Sequence, residues 1–438
     1  MKLNDYLEKG LCKQSEIALH THDRIAYKRC RRKWHLSSPF GKHLEPKPDS
    51  VLHSVNPHLW FGSGIHFAME DYHGYNRFND PVEAFHAYID AHAPEELPEE
   101  TEHYVELGTQ ILEHYVGWEK RHSTWETVWR ESTPLVEVQF SLVLKDLCYY
   151  KIKDLDGTEE RYFRIEDTDK WSTKDGSVLD RVLLEEYGAE YVEIVYHGTL
   201  DRVVADEHGD LWILDYKTAK SYDDKKLPLD PQIAAYCWAA EQWLEQEIQG
   251  MIYIQIMKTP PKPAKVTKTG ISADKRQITT HALYKEALID YYGSVGAAPS
   301  KNIEFLNMLA DMEAENGDRF IRYDKVEKNT ATKENTYYAI LEEGREMIDP
   351  KLPLYPNPTR DCSWDCQFRD ICLAMEEDGD YEFMLEQFQP RTETRKEELR
   401  PWQKRLYRKN KALFPEEYDK YCKQGVDSLA EFMLKEDE

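Results

Sequence analysis

The segment Tyr196–Lys220 reads YHGTLDRVVADEHGDLWILDYKTAK and places Asp201, Asp215 and Lys217 where a hairpin would gather them. Residues 191–205 and 211–218 are rich in β-branched and aromatic side chains, and the loop Asp206–Asp210 between them includes Gly209. Pairing symmetric about that loop sets Val203 opposite Ile213, Ala205 opposite Leu211 and Asp201 opposite Asp215. Directly opposed side chains have Cβ atoms roughly 4.5–5.5 Å apart. Carboxylates at that distance repel unless a proton or a cation lies between them. Lys217 follows Asp215 by two positions, so it projects from the same face. The pattern reads as a divalent cation held by two aspartates with an ammonium beside it. Such an ion polarises a phosphate and lowers the pKa of a bound water, and the ammonium stabilises a nucleophile or developing charge. An exposed Asp–Lys salt-bridge face is the plainer alternative.

A second constellation is made of thiols. Cys362, Cys366 and Cys372 stand in CSWDCQFRDIC, three of eight cysteines in the chain. In a reducing compartment that spacing reads as a metal or iron–sulfur site. Cys30, in KRCRRKW, is the best candidate for a fourth ligand, and Cys12 is an outside one. Four thiolates suit zinc as well as iron. Cys148, Cys237 and Cys422 read as small core residues.

The elements that must position these groups are mixed. Helical hints run from Ile17 to Trp34, and residues 60–92 read as a helix opening on Gly62 and Gly64. That helix carries His66 and, one turn later, Glu70. Residues 101–122 are a further amphipathic helix and Leu135–Leu144 a strand. Glu137 on that strand reads first as a solvated edge residue. Residues 146–190 form a polar surface elaboration. After the hairpin, Asp230 caps and Pro231 opens a helix to about Glu247. It is followed by the strand Met251–Met257, a Lys/Pro/Gly loop over 258–275, and mostly helical stretches over 279–293 and 299–348. The expected division is 1–59 (basic segment with the first cysteine), 60–134 (helical, with His66), 135–260 (catalytic core), 261–349 (helical), 350–385 (three cysteines) and 386–438 (charged helical tail). The fold class is mixed α/β, a mixed sheet flanked by helices.

Several of these features together resemble the RecB-like branch of the PD-(D/E)XK nucleases. They are Gly198-Thr-Leu-Asp201, Asp215-Tyr-Lys217, Gln232-Ile-Ala-Ala-Tyr236 on the following helix, and Gly62-Ser-Gly-Ile-His66 upstream. The resemblance spans roughly residues 25–375. It implies a restriction-endonuclease-like core with a catalytic set of Asp201, Asp215, Lys217, Gln232 and Tyr236. It further implies Mg²⁺ or Mn²⁺ held by His66, Asp201 and Asp215. AddB-type subunits and CRISPR-associated members of this branch place one cysteine before the core and three after it, around a 4Fe–4S cluster. That implies the same role for Cys30, Cys362, Cys366 and Cys372. Two departures stand: three residues separate Cys362 from Cys366 where two are usual, and Arg31 follows Cys30 where proline is common.

Composition bounds the function. The chain has 438 residues, 57 Lys+Arg against 82 Asp+Glu, and a formal net charge of -25, which argues against a non-specific polyanion binder. Basic residues are concentrated locally. Arg29, Arg31, Arg32 and Lys33 flank Cys30 and are candidate DNA contacts, or else offset the charge of a cluster. Lys258, Lys262, Lys265 and Lys268 form a second run. No stretch of about 18 apolar residues exists, and the N-terminus is polar and charged, so the expectation is a cytoplasmic protein with no membrane partner. No G-x-x-x-x-G-K-[ST] phosphate loop is present, so no helicase motor is expected. The expected function is a metal-dependent DNA exonuclease acting on single strands or ends, with DNA as its partner. The alternative is a catalytically idle iron–sulfur module that binds DNA ends or a recombination or replication protein.

Overall fold

The computed structural model describes residues 13–391 apart from 48–49, 51–56, 75–77, 79, 93–97, 131–132, 154–158, 166–167, 169, 223–224 and 364–365. Cys12, Cys422 and nearly all of the charged tail lie outside the described residues. The chain begins with β1 (Lys13–His20), α1 (Thr21–Arg29), α2 (Arg31–Ser37), α3 (Pro57–His73), α4 (Pro81–His92) and α5 (Pro98–His122). Strands follow: β2 (Trp125–Thr127), β3 (Val136–Val143), β4 (Tyr149–Lys153), β5 (Glu159–Arg164), β6 (Lys170–Ser172) and β7 (Val178–Asp180). After α6 (Arg181–Glu186) come β8 (Glu190–Asp206), β9 (Leu211–Ala219), α7 (Pro231–Leu244) and β10 (Ile248–Met257). The remainder holds α8 (His281–Tyr292), α9 (Ser300–Asn316), β11 (Ile321–Glu327), α10 (Thr330–Met347) and α11 (Arg369–Glu376).

All eleven strands belong to one mixed sheet, in the order β7-β6-β5-β4-β8-β9-β10-β11, with β1, β2 and β3 also pairing to β8. The 17-residue β8 is the organiser. Along one edge it pairs in parallel with β1 as far as His20↔His197, then antiparallel with β9 from Arg202↔Leu214. Along the other it pairs with β4, then with β3 as far as Leu200↔Val138, then with β2. Asp201 therefore sits where both ladders change partner.

Each face is closed by helices. Val203 and Ile213 pack with Ile233, Ala235 and Trp238 of α7 and Ile340 of α10. On the other face Val204, Leu214 and Tyr216 pack with Phe61, Ile65, Ala68 and Met69 of α3 and with α4 and α5. Burial on both faces explains why consecutive residues Val203 and Val204 of β8 are both apolar and fully buried. The capping expected at Asp230 and Pro231 is present: Asp230 accepts from the Gln232 amide at 2.8 Å, and the helix ends at Glu245 in the left-handed region.

Four local expectations are corrected. Lys13–His20 is a strand rather than part of a helix, because it adds in parallel to the exposed edge of β8. The helix expected over 60–92 is two, α3 and α4, broken between His73 and Pro81. Residues 149–180 extend the sheet around a small core of Tyr150, Tyr162, Trp171 and Leu184. Ile321–Glu327, inside a stretch that reads as helical, is a strand paired antiparallel to β10. Residues at both ends of the described chain meet: 44–46 pairs with 388–390, and Leu36 packs on Phe368, Ile371 and Phe388.

Candidate active site

The hairpin register is the one the loop symmetry predicts, Val203↔Ile213 and Ala205↔Leu211. Pairing stops at Arg202↔Leu214, and Asp201 turns its carboxylate onto the facing strand, where Oδ2 accepts from the Tyr216 amide at 2.8 Å. A side chain thus takes the place of a ladder carbonyl, which holds the carboxylate rigid at the seam.

His66 on α3 and Glu137 at the start of β3 close on Asp201. His66 Nδ1 lies 3.2 Å from Glu137 Oε1 and 3.4 Å from Asp201 Oδ2. The three residues can each offer one ligand atom within 4.8 Å of the others. Glu137 is in the left-handed region, with φ 50°. That conformation is uncommon for a residue with a Cβ and often marks functional sites. It breaks β3 one residue after the Val138↔Leu200 pair and points the carboxylate at Asp201. The solvated-edge reading of Glu137 is thereby overturned. The β3–β8 register, which ends at Val138↔Leu200, brings Glu137 next to Asp201, and no local stretch of sequence carries that register. Glu70 is not in this group.

Asp215 is buried, and its carboxylate lies with Lys217 Nζ, 2.8 Å from Oδ1 and 2.7 Å from Oδ2. Oδ2 makes no hydrogen bond of good geometry. Burial raises both the Asp201 and Asp215 carboxyls above the usual carboxylate range. His66 and Lys217 oppose that at Asp201, and Lys217 opposes it at Asp215. Burial pulls the Lys217 ammonium down, but Asp215 and Asp201 outweigh it and hold the group well above its ordinary value. His66 is likewise depressed by burial and raised more strongly by Asp201 and Glu137, to about 9. The site is a cage of alternating charge whose carboxylates, Asp201, Asp215 and Glu137, outnumber its cations, His66 and Lys217. That donor set fits a small divalent ion.

On α7, Tyr236 packs edge-on against Phe140 at 5.7 Å, and its hydroxyl is raised by burial, Tyr196 and Asp215. Gln232 precedes it by one turn on the same helix. Tyr253, paired to Asp215 across β9 and β10, also faces the site, its hydroxyl pushed up to about 12 by burial and by Asp215. Sequence reading passed over Tyr253 because it is an ordinary member of an apolar strand.

A family model described as the PD-(D/E)XK nuclease superfamily matches residues 25–373. The chain belongs to this superfamily. A crystal structure of SSO0001 is similar at 12% identity over 85% of this chain and 94% of that one, with a TM-score of 0.25, a likeness too slight to carry an argument. Among curated proteins none matches the chain.

In this superfamily member a buried polar network stands behind the site. Arg202 donates to Glu119 and to Tyr216 Oη, each at 3.3 Å, and to Thr127 Oγ1 at 2.9 Å. Tyr115 donates to Glu119 at 2.9 Å and lies 3.1 Å from Tyr216 Oη, and His73 Nε2 lies 2.8 Å from Tyr115 Oη. It links α3, α5 and the hairpin through the side chain of Tyr216, whose amide holds Asp201.

Cys30, Cys362, Cys366 and Cys372 line one cavity of about 190 Å³. Among the described residues no three of these thiols have sulfurs within 4.8 Å of one another. Cys148 and Cys237 are buried in the core. Arg32, expected at DNA, turns inward: it pairs with Glu376 at 2.8 Å and reaches the Cys372 sulfur at 3.5 Å. Arg31 pairs with Glu346 at 3.1 Å and lies between the rings of Tyr27 and Tyr355. Arg29 and Lys33 sit beside them on α1 and α2. No described helix is long and apolar enough to cross a membrane.

Proposed function

We propose that this protein is a divalent-metal-dependent deoxyribonuclease of the RecB-like branch, an exonuclease acting on single strands or DNA ends in recombination, repair or phage DNA processing, in the cytoplasm. The observation that carries the reading is the convergence of His66, Glu137 and Asp201 beside the Asp215–Lys217 pair. His66, Glu137 and Asp201 would hold Mg²⁺ or Mn²⁺, with Asp215 completing the set. The ion, when bound, supplies Lewis-acid polarisation of the phosphate and a more acidic water. The Tyr216 amide keeps Asp201 oriented. Lys217 donates toward the attacked phosphate or its nucleophile, and Asp215 holds that ammonium in place. Gln232 and Tyr236 on α7 would position the substrate strand. One imidazole among carboxylates makes the donor set softer than an all-oxygen site, which favours Mn²⁺ over Mg²⁺.

The thiol cavity supports a 4Fe–4S cluster over zinc. A tetrahedral zinc with Zn–S near 2.3 Å needs all of its sulfurs about 3.8 Å apart, whereas among the described residues no three of these sulfurs lie within 4.8 Å of one another. Arg32 at the Cys372 sulfur would offset the charge of such a cluster, which is preferred here to a DNA contact for Arg31 and Arg32. Arg29 and Lys33 remain candidates for the DNA side.

The direct test is incubation of end-labelled single- and double-stranded DNA with the purified protein and Mg²⁺ or Mn²⁺. Progressive shortening from an end, abolished by chelator, is the expected result. Intact DNA under all of these conditions would reject the nuclease reading.

A further inference from the structure

The basic run that starts at Lys258 meets a second lysine in the fold. β9 and β10 are parallel neighbours whose last paired residues are Ala219 and Met257. The Lys258 amide donates to the Ala219 carbonyl at 2.8 Å. Lys220 and Lys258 therefore leave adjacent strands side by side. Burial lowers the Lys258 ammonium from its ordinary value, and the charge of Lys220 lowers it further. Lys258 Nζ also lies 5.5 Å from the centre of the Phe61 ring, on the same helix as His66 and five residues before it. Among the described residues neither lysine has a carboxylate within 4.0 Å.

Like charges set beside each other on neighbouring strands are destabilising. A chain with 82 acidic residues has carboxylates to spare for relieving such a pair, yet none of the described ones is paired with either lysine. An anion bound between the two ammonium groups would turn the repulsion into attraction. Three extended residues separate Lys217 from Lys220, roughly 10 Å of strand.

We propose that Lys220 and Lys258 form a phosphate clamp that holds the DNA backbone beyond the end of β9, roughly 10 Å along the strand from Lys217 and the scissile bond. The contact is sequence-independent, as phosphate contacts are. It fixes the register of the strand and leaves the hydrolysis itself to the metal-site residues. The proposal rests on the nuclease reading for its position relative to the cut, while its phosphate chemistry can be measured without cleavage.

The experiment compares wild type with Lys220→Gln/Lys258→Gln. Binding of a fluorescein-labelled oligo-dT 20-mer is measured in chelator across a series of salt concentrations. Loss of two contacts on a single strand should reduce the slope of log K against log salt by about 1.4, at about 0.7 per phosphate. KM for the same oligonucleotide with Mn²⁺ should rise on the order of tenfold by the same loss, with kcat retained. Lys220→Arg/Lys258→Arg should restore both. The control Lys285→Gln/Lys301→Gln, on exposed faces of α8 and α9, should change neither. An unchanged slope in the folded glutamine variant, checked by its melting temperature, overturns the clamp. So does an equal loss in the control, which would show a general charge effect. If the slope changes as expected but wild type cuts no DNA, the nuclease reading fails and the clamp stands. If wild type cuts and the slope is unaltered, the clamp alone fails.

Discussion

Asp215 and Lys217 are adjacent on one face of a strand, yet removing either should have different consequences. Asp215→Ala removes a buried carboxylate and leaves Lys217 without its anchor. Cleavage should fall by on the order of 10²–10³-fold or more, while DNA binding in chelator persists, because no cation facing the polyanion is lost. Lys217→Ala should depress cleavage equally, yet retain divalent-ion binding by calorimetry; a variant that no longer binds Mn²⁺ would refute that division of roles. His66 gives the pH dependence. Burial lowers its pKa, but Asp201 and the hydrogen-bonded Glu137 hold it at about 9 in the metal-free protein. A metal ligand must be neutral, so an ion entering at pH 7 must expel a proton. Metal affinity should rise with pH up to about 9, and binding at pH 7 should release close to one proton. Titrations in buffers of different ionisation enthalpy measure that release. Heats that are independent of the buffer would place the ion away from His66. The sign for metal-free stability follows from the same raised value: the contribution is full below the unfolded value of about 6.5 and is lost as pH rises through about 9.

At the scale of elements, the glycine of Gly198-Thr-Leu-Asp201 has a steric cause. Gly198 pairs with Phe140 across β8 and β3. A Cβ at Gly198 would come 2.3 Å from Phe140 Cζ, in a ring that is fully buried. The ring covers the glycine backbone, and the strand can then run straight to Asp201. Gly198→Ala should lower the melting temperature, with a cost of about 1–3 kcal/mol. Gly198→Ala/Phe140→Leu should recover part of it, because the two changes share one contact. A stable single variant would show that the ring moves aside freely. The hairpin and α7 were legible because their signals are local: alternating apolar residues, a glycine-containing loop, and an Asp-Pro helix start. β1 and β11 were not, because Lys13–His20 and Ile321–Glu327 are short, half-polar segments that become strands only by adding to an existing edge.

At the scale of the molecule, the two ends of the described chain are brought together around the thiol cavity, from Cys30 on one side to Cys362, Cys366 and Cys372 on the other. The Asn357 side chain donates to the Arg29 carbonyl at 2.8 Å, which strengthens the same junction. A metal group there would tie residues far apart in sequence, and constraints on long loops remove more unfolded-state freedom than those on short ones. Protein purified without oxygen should be brown and contain about four irons per chain. Cys362→Ala should lose that iron and melt at a lower temperature, with activity falling as a consequence. One zinc with no iron would reject the cluster, and a Cys362→Ala variant of unchanged stability would remove any structural role from these thiols.

The sequence by itself determined the hairpin register, the pairing of Asp215 with Lys217 on one face, the helix that carries Gln232 and Tyr236, and the four cysteines as a set. These follow from period-two alternation, short loops and residue chemistry, which act over a few positions. Only the tertiary structure decided that Glu137 joins His66 and Asp201, that Arg32 turns inward to the Cys372 sulfur and that Arg31 pairs with Glu346. It alone set Tyr216 at the head of a buried network and Lys220 beside Lys258. Each of these depends on which strands lie next to each other in the sheet and on a ladder that ends one residue early. The free energy that settles such choices comes from packing across the whole sheet, and no local stretch of residues contains it.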